Sequence, residues 1–591
     1  MSFSDNPVIF LWRKTWEFSK GNRHKVVVFL VLFFCANGVS FFLPLVLAKL
    51  LNTVQERGVT TESLPLLLGI TSFYLVLQLL FWCFHGPARV TEMRNAFLVK
   101  VNYKRYLVEG ILALPPKWHM DHHSGDTIDK VEKASRSVYE FAMSSFQVFE
   151  AILKLVSSYI ALIYFNLHAA YLVLFLLVIL ASILGRFDRV LRKRWKELLV
   201  LENSAAAKVV DIFTNMMTVI IVRVEKLAAA DIMRKIMSPF ELFRKTVSFS
   251  ETKWFMLTLF GSLIYVVVIG SYLITAVVSG KTVLVGTLAA LAEYIHRIND
   301  VFFKFTLKYN DVLRQKVAVE AVEEMTKEFK EKEKIKGINL KKGWKRIEVK
   351  KLSFSYHGNE GGDLHLDDVS LTFRKGERVA VVGESGSGKT TFLKLIRGMF
   401  EPKYAEIVVD DKKLEDGFKS LQDNVMLFPQ DPELFATTIR ENITFGIPYA
   451  EGELRRITNL ACITEVIDKL PKGFESVVYE KGVNLSGGER QHLALARGIG
   501  ASKDKEIILL DEPTSSIDAK SESKIYENML KEWRGKTIVS TMHRLHLMHK
   551  FERVIVFDKG KIVADGSVDE VMKKSQKFKE LWRKYHLKKA S

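Results

Sequence analysis

Val379-Ala380-Val381-Val382 runs directly into Gly383-Glu384-Ser385-Gly386-Ser387-Gly388-Lys389-Thr390-Thr391, and Lys389–Arg397 continues as a helical pattern. A short, mostly β-branched strand, a glycine-rich loop and a helix start, in that order, make a phosphate-binding loop. The glycines let backbone N–H groups approach phosphate oxygens, and the helix N-terminus favours negative charge. Gly383–Thr391 is therefore the expected cradle of a nucleotide. Lys389 is expected on the β- and γ-phosphates, Thr390 on Mg²⁺ and Thr391 on a phosphate oxygen.

Working outward, strand patterns precede the loop at Ile347–Val349, Leu352–Tyr356 and Val369–Phe373. After it come Leu427-Phe428-Pro429-Gln430-Asp431, then Leu485-Ser486-Gly487-Gly488-Glu489-Arg490-Gln491. Next is an apolar strand, Ile507–Leu510, ending in Asp511-Glu512, and later Ser540-Thr541-Met542-His543-Arg544. An acidic pair at a strand end, downstream of a phosphate loop, has the Walker B pattern. Asp511 is expected to hold Mg²⁺ directly or through water, and Glu512 to act as the general base that positions an attacking water.

The LSGGERQ stretch, placed between the phosphate loop and the Asp-Glu strand, resembles the signature of the ATP-binding cassette (ABC) transporters. The resemblance implies further roles. Tyr356 matches the aromatic residue that stacks on adenine. Gln430 matches the glutamine that senses Mg²⁺ and the γ-phosphate, and His543 the histidine that contacts the γ-phosphate. Ser515-Ser516-Ile517-Asp518 matches the D-loop, which adds Asp518 to the nucleotide site. Ser486, Gly487 and Gly488 would contact the ATP held by an opposite nucleotide domain. One cassette per chain then implies a half-transporter that pairs with a second copy, as a homodimer or alternatively a heterodimer. Two departures are visible: His492 stands where arginine is usual and Gly498 where alanine is usual, and neither touches the chemistry as assigned. His546 and His549 read as plain helix-surface residues.

The N-terminal part has another character. The chain has 591 residues, a net charge of +19 and 48% hydrophobic residues, with runs such as Tyr171–Leu184 that carry no charge. A membrane-spanning helix needs about 20 mostly apolar residues. Six segments approach that: Val26–Leu51, Leu64–His85, Val148–Phe165, Leu167–Leu184, Trp254–Val278 and Val283–Phe305. The third and fourth are parted only at Asn166, as a tight hairpin. Basic residues crowd the leader, 86–147 and 185–253, and are sparse in the other loops, so those stretches and both termini are expected in the cytosol. This distribution makes nucleic acid an unneeded partner for the positive charge. Ile9–Trp12, Trp16 and Phe18 among basic residues read as an amphipathic leader helix on the membrane face, with Asp5 and Glu17 arguing against a transit peptide. Cys35, Cys83 and Cys462 give no disulfide framework and read as small buried hydrophobes.

Both cytosolic stretches are helical but broken. Leu114-Pro115-Pro116-Lys117-Trp118 interrupts the first, since proline cannot continue a helix. By the resemblance, a first coupling helix is expected at Asp121–Ile128, containing Gly125-Asp126, and a second at Asp211–Val222. His119, His122 and His123 beside Asp121 and Asp126 have metal-ligand chemistry but no second cluster, and a polar coupling loop explains them. Within the sixth segment Glu293, Arg297 and Asp300 share one helix face, with His296 adjacent, and Lys154 lies similarly in the third. Two readings stay open: a polar wall of a substrate path, or a structural Glu293–Arg297 pair.

The expected architecture is a multi-domain membrane protein. A leader (1–25) precedes an all-α six-helix transmembrane domain of ABC exporter type (26–315). A charged linker (316–343, densest at Lys327–Lys345) leads to an α/β P-loop ATPase domain (344–591). The resemblance implies ATP-driven export of a lipid, peptide or other small amphipathic substrate across a plasma or inner membrane by alternating access. Import through the same fold, and an ATP-gated channel or regulator, are the alternatives.

Overall fold

The computed structural model describes residues 6–122, 124–332, 343–356, 364–479, 482 and 484–590. Asp5, His123 and residues 333–342 of the charged linker fall outside them. The chain divides into two compact units, Met1–Leu112 with Gly125–Thr326, and Ala113–Ser124 with Lys327–Ser591.

The first unit is helical. Its elements are α1 (Pro7–Phe18), α2 (Arg23–Arg57), α3 (Leu64–Leu112), α4 (Pro116–Asp121, grouped with the second unit), α5 (Ser124–Phe165), α6 (Leu167–Thr214), α7 (Met216–Val222), α8 (Glu225–Met237), α9 (Phe240–Val278) and α10 (Val285–Lys332). Helix α2 packs along α3, and α6 along α9. Asn166 makes the hairpin between α5 and α6: its side chain accepts from Ala169 N at 3.0 Å, capping α6, and donates to Ser271 Oγ at 2.7 Å. Helix α1 sets its apolar face on protein, with Leu11 buried and the Trp12 ring edge-on to Phe141 and Phe149.

Helices α2 and α10 are tied by polar groups at both ends of their contact. Asn52 Oδ1 accepts from Gly286 N (2.7 Å) and Gln55 Oε1 from Val285 N (2.8 Å), while Gln55 Nε2 donates to Val283 O (2.9 Å). Tyr294 Oη donates to Phe41 O (2.9 Å) and Arg297 Nη1 to Ser40 O (3.0 Å).

Two expectations are corrected here, both at the breaks of the cytosolic stretches. Among the described residues five helical stretches, α2, α3, α5, α6 and α8–α9, are long and apolar enough by composition to cross a membrane, and the sixth expected segment lies in α10. Helix α10 is long, but Glu293, Arg297, Asp300 and Lys304 interrupt its apolar run. The first short helix is Pro116–Asp121, five residues before the expected Asp121–Ile128, which straddles the end of α4 and the start of α5. The prolines that stop α3 also begin α4, because proline is at home in a first helical turn. The second break lies at Asn215, so Asp211–Val222 divides into the last turn of α6 and the short helix α7.

In the second unit an antiparallel sheet has the order β2-β1-β4-β5: β1 is Arg346–Phe354, β2 Leu366–Arg374, β4 Tyr404–Val409 and β5 Lys412–Lys413. A second sheet has the order β10-β9-β3-β8-β7-β6. Here β3 is Arg378–Val382, β6 Val425–Phe428, β7 Ile507–Asp511, β8 Thr537–Thr541, β9 Arg553–Asp558 and β10 Lys561–Gly566, parallel except for β9–β10. Its helices include α11 (Lys389–Ile396), α12 (Ile439–Thr444), α13 (Glu451–Leu460), α14 (Thr464–Lys469), α15 (Gly487–Ala501), α16 (Ala519–Glu532), α17 (Val568–Lys574) and α18 (Gln576–Ala590).

Strands β3 and β7 are apolar through Val379–Val382 and Ile507–Leu510 because both of their faces are covered. Ala380, Val382, Ile508 and Leu510 face one core with α15 and α16, whereas Val379, Val381, Ile507 and Leu509 face the core shared with the antiparallel sheet.

Candidate functional site

Register assembles the site. Adjacent parallel strands place Val381 beside Thr541, and Thr541 beside Asp511, while β6 sets Phe428 beside Leu510. The loops leaving β3, β6, β7 and β8 therefore emerge together at the carboxyl edge of the sheet, where α/β folds bind ligands. Those loops carry Gly383–Thr391, Gln430, Glu512 and His543.

The phosphate loop closes on itself. Lys389 is buried, and its ammonium donates to Gly383 O (2.8 Å) and Glu384 O (3.0 Å). Gly388 takes φ +104° as the cap of α11, a conformation that side-chain-bearing residues rarely adopt. Ser385 and Gly386 form the exposed tip. The Glu384 carboxylate turns away to Lys577 (3.3 Å) and Lys584 (2.7 Å) of α18.

Beside the loop, Thr390 Oγ1 lies 2.9 Å from Asp511 Oδ1, which also accepts from Thr541 Oγ1 at 2.9 Å. Burial pushes the Asp511 carboxyl above its ordinary range against these hydrogen bonds. Burial likewise holds the Lys389 ammonium below its ordinary range, although Glu512 and Asp511 pull it upward. An anion at Lys389 and a cation at Asp511 would relieve both penalties at once.

Two further observations test the fit to a magnesium nucleotide. Ser387 Oγ is buried without a hydrogen-bond partner among the described residues, which suits a phosphate oxygen. Thr390 and Asp511 present hard oxygen donors, the chemistry Mg²⁺ requires. The residues fit.

Glu512 follows β7 with φ +47°, an uncommon conformation for a residue with a side chain. Its N–H donates to Thr541 Oγ1 at 3.1 Å, which helps fix the turn. Glu512 Oε1 then meets His543 Nε2 at 2.9 Å, and Glu512 Oε2 lies 3.4 Å from Gln430 Nε2. A cavity of about 190 Å³ opens beside them, lined in part by Glu512, Thr541, His543 and Arg544. A carboxylate held between an imidazole and an amide can accept a proton and keep its orientation.

Tyr356 is partly exposed. Its ring meets Phe354, His365 and Phe400 edge-on, and its hydroxyl lies 3.3 Å from Thr391 Oγ1. Ser486 caps α15 in a reciprocal box with Glu489, and Gly487 and Gly488 form the first turn near Ser516. Among the described residues no hydrogen bond joins Ser486–Gly488 to Gly383–Thr391. Asp518 caps α16 through Lys520 N (3.1 Å) and Ser521 N (3.0 Å), bonds that hold its carboxyl below the usual range.

Sequence reasoning missed the residues that hold these motifs in place. Gln491 donates to Gln430 O (3.2 Å) and Ser515 Oγ (2.8 Å) and accepts from Ser516 N (2.8 Å). Arg544 donates to Ile517 O (2.7 Å), Ser515 O (3.2 Å) and the buried Glu522 carboxylate (3.0 Å). His546 is not a plain surface residue: its Nδ1 is 2.9 Å from Tyr585 Oη and its Nε2 3.6 Å from Glu522. His549 is exposed. Gly498 also has a reason, since a Cβ there would sit 2.1 Å from the Phe428 ring. His492 Nδ1 lies 2.6 Å from Ala461 O.

In the first unit Arg297 Nε is 3.2 Å from Glu293, Asp300 pairs with Lys304 at 2.7 Å, and Lys154 with Glu150 at 2.5 Å. His122 stacks on Trp118 at 4.1 Å and its Nδ1 lies 2.8 Å from Trp118 O.

Residues 26–298 match the family described as "ABC transporter transmembrane region", and residues 366–515 the family described as "ABC transporter". The chain belongs to the ABC transporters. As a member it is a multi-pass membrane protein. It is 37% identical over 241 residues to the ATP-dependent lipid A-core flippase of Alkalilimnicola ehrlichii, covering 40% of each chain. It is also 37% identical over 245 residues to the mycobactin import ATP-binding/permease protein IrtB of Mycolicibacterium smegmatis, covering 41% of each. The chain spans about 40% of the length of the curated relatives it matches. A bacterial Atm1-family ABC exporter solved with ATP bound superposes with TM-score 0.81 at 20% identity, over 95% of this chain and 99% of that one. The fold is thus that of an ABC exporter.

Proposed function

We propose that this ABC transporter binds and hydrolyses ATP, with Mg²⁺, to drive export of a hydrophobic or amphipathic substrate by alternating access, as one half of a dimer. The observation that carries the reading is the Glu512–His543–Gln430 cluster, set level with the Thr390–Asp511 pair and joined in one chain to a helical unit of exporter fold.

Tyr356 would stack on adenine, and Gly383–Thr391 would cradle the phosphates. Thr390 and Asp511, with Gln430 nearby, would hold Mg²⁺, which supplies charge neutralisation for phosphoryl transfer when bound. Glu512 accepts the proton of the attacking water, oriented by His543 on one oxygen and Gln430 on the other. Ser486, Gly487 and Gly488, at the capped start of α15, serve the ATP of a second cassette, and Asp518 at the start of α16 adds to the nucleotide site. A homodimer then has two competent sites. Because ATP binds the closed pair of cassettes better than the open one, it shifts the population toward closure.

Segment Ala113–Ser124 clusters with the cassette rather than with the helices on either side of it, which supports α4 as the first coupling element. Helix α7 would be the second. The basic stretches support a cytosolic cassette and cytosolic termini at a plasma or inner membrane.

The similarity to a lipid A-core flippase supports a lipid-like cargo. The similarity to a mycobactin import protein favours a second reading, inward movement. ATP-dependent accumulation of a labelled lipid in inside-out vesicles supports export. Accumulation only in right-side-out vesicles would overturn it.

A further inference from the structure

Helix α18 (Gln576–Ala590) lies beyond residues 366–515, the stretch that matches the ABC transporter family, so that match assigns it no role. It is attached to the cassette in two ways. The first is apolar. Phe578, Leu581, Trp582 and Tyr585 recur at helical spacing as one face. Phe578 is fully buried in the core that holds α15 and α16, and the other three pack against that core. Tyr585 Oη adds a polar anchor, 2.9 Å from His546 Nδ1.

The second attachment is ionic. Lys577 and Lys584 stand about two turns apart on one side of α18. Lys584 Nζ is 2.7 Å from Glu384 Oε1 and Lys577 Nζ 3.3 Å from Glu384 Oε2, so each carboxylate oxygen takes one ammonium. Lys577 also reaches Asp558 Oδ1 at 3.3 Å, at the end of β9. Lys584 and then Lys577 hold the Glu384 carboxyl below its usual range.

Position makes this pairing consequential. Glu384 is the second residue of the phosphate loop, and its own carbonyl accepts from the Lys389 ammonium at 3.0 Å. That ammonium is the expected contact of the β- and γ-phosphates. A carboxylate tethered this close repels an incoming polyanion and competes with it for the same cation. The three side chains are partly or fully exposed, and exposed pairs add little to stability. What the pairing fixes is where one negative charge points.

We propose that Lys577 and Lys584 are positioning residues of the ATP site: they hold the Glu384 carboxylate out of the phosphate cradle, and ATP affinity depends on α18 through them. The role rests on the reading of Gly383–Thr391 as the cradle of Mg-ATP. Among the described residues the ion pairs of the two lysines are with Glu384 and Asp558, not with Asp511 or Glu512. Turnover at saturating ATP therefore does not depend on them.

The test uses the full chain in nanodiscs and reads phosphate release against Mg-ATP. Salt is kept at about 150 mM, which screens charges beyond about 8 Å. K577A/K584A should raise KM for ATP about fivefold, the scale of one unit charge a few ångströms away through water, with kcat unchanged. K577R/K584R keeps both charges and should keep the wild-type KM. In the E384Q background the two alanines should leave KM unchanged, because no carboxylate is left to restrain. Phe578 and Tyr585 are intact in every variant, and an unchanged unfolding midpoint checks that α18 stays docked. An equal rise of KM in both backgrounds would mean that the lysines act on ATP by charge alone, and would overturn the proposal. So would a fall in kcat with KM intact. K389A controls the underlying reading and should abolish ATP binding; if ATP still binds, that reading fails and the role of the lysines with it. If K389A abolishes binding and K577A/K584A keeps the wild-type KM, only the role of the lysines falls.

Discussion

Glu512 Oε1 lies 2.9 Å from His543 Nε2, with the Glu512 backbone held at φ +47° to bring them together. The amide of Glu512→Gln keeps the hydrogen bonds but cannot take up a proton. ATP binding should survive, and steady-state phosphate release should fall about 10²–10⁴-fold, the usual contribution of a general base. The variant should also accumulate as a closed dimer with ATP by size-exclusion chromatography. Near-normal hydrolysis would remove Glu512 from the assigned role.

Asp511 is buried, and its ionised form is disfavoured in the nucleotide-free fold. Its folded pKa lies above the unfolded one, so its stabilising contribution is complete below the ordinary carboxylate range. That contribution is lost as pH rises through the raised value. Asp511→Asn is neutral and can still accept from Thr390 and Thr541. At pH 7 it should raise the unfolding midpoint of the nucleotide-free protein by about 2–4 °C, the shift that about 1 kcal/mol produces in a domain of this size. The gain should vanish in acid, and stabilisation by Mg-ATP should be lost.

Gly498→Ala would drive a methyl into Phe428. Overpacking of this kind costs about 1–3 kcal/mol. Thermal unfolding of G498A should show that loss, and the double variant G498A/F428L should recover most of it. Additive losses would mean the two sites do not share the space.

Arg297 donates to Ser40 O and pairs with Glu293. Arg297→Ala leaves a carbonyl and a carboxylate unpaired, at a cost of about 1–3 kcal/mol. The unfolding midpoint should fall while transport per folded protein in vesicles is kept. A stable R297A protein without transport would instead place Arg297 on the substrate path.

The cassette was legible where chemistry is written locally. A strand, a glycine loop and a helix start are contiguous at Val379–Arg397, and the Asp511-Glu512 pair ends its own strand. What was not legible joins distant residues. Gln491 reaches back to Gln430 and forward to Ser515, and no local pattern announces such a hub. His546 looked solvent-facing because its partners, Tyr585 and Glu522, sit on other helices. Gly498 read as a neutral departure until Phe428 was placed beside it. In the membrane region the apolar runs exposed the long helices, whereas Pro115 and Pro116 were read as an interruption although they also initiate α4.

The five polar contacts from Ser40 to Gln55 span about 22 Å of α2 at the helical rise. Sliding α10 past α2 would break the part-buried bonds of Asn52, Tyr294 and Arg297 together, at the desolvation cost of their polar groups. The two helices therefore behave as a single beam. Any opening of a pathway must carry them as one body, and the axis of that movement has to run through other helix pairs.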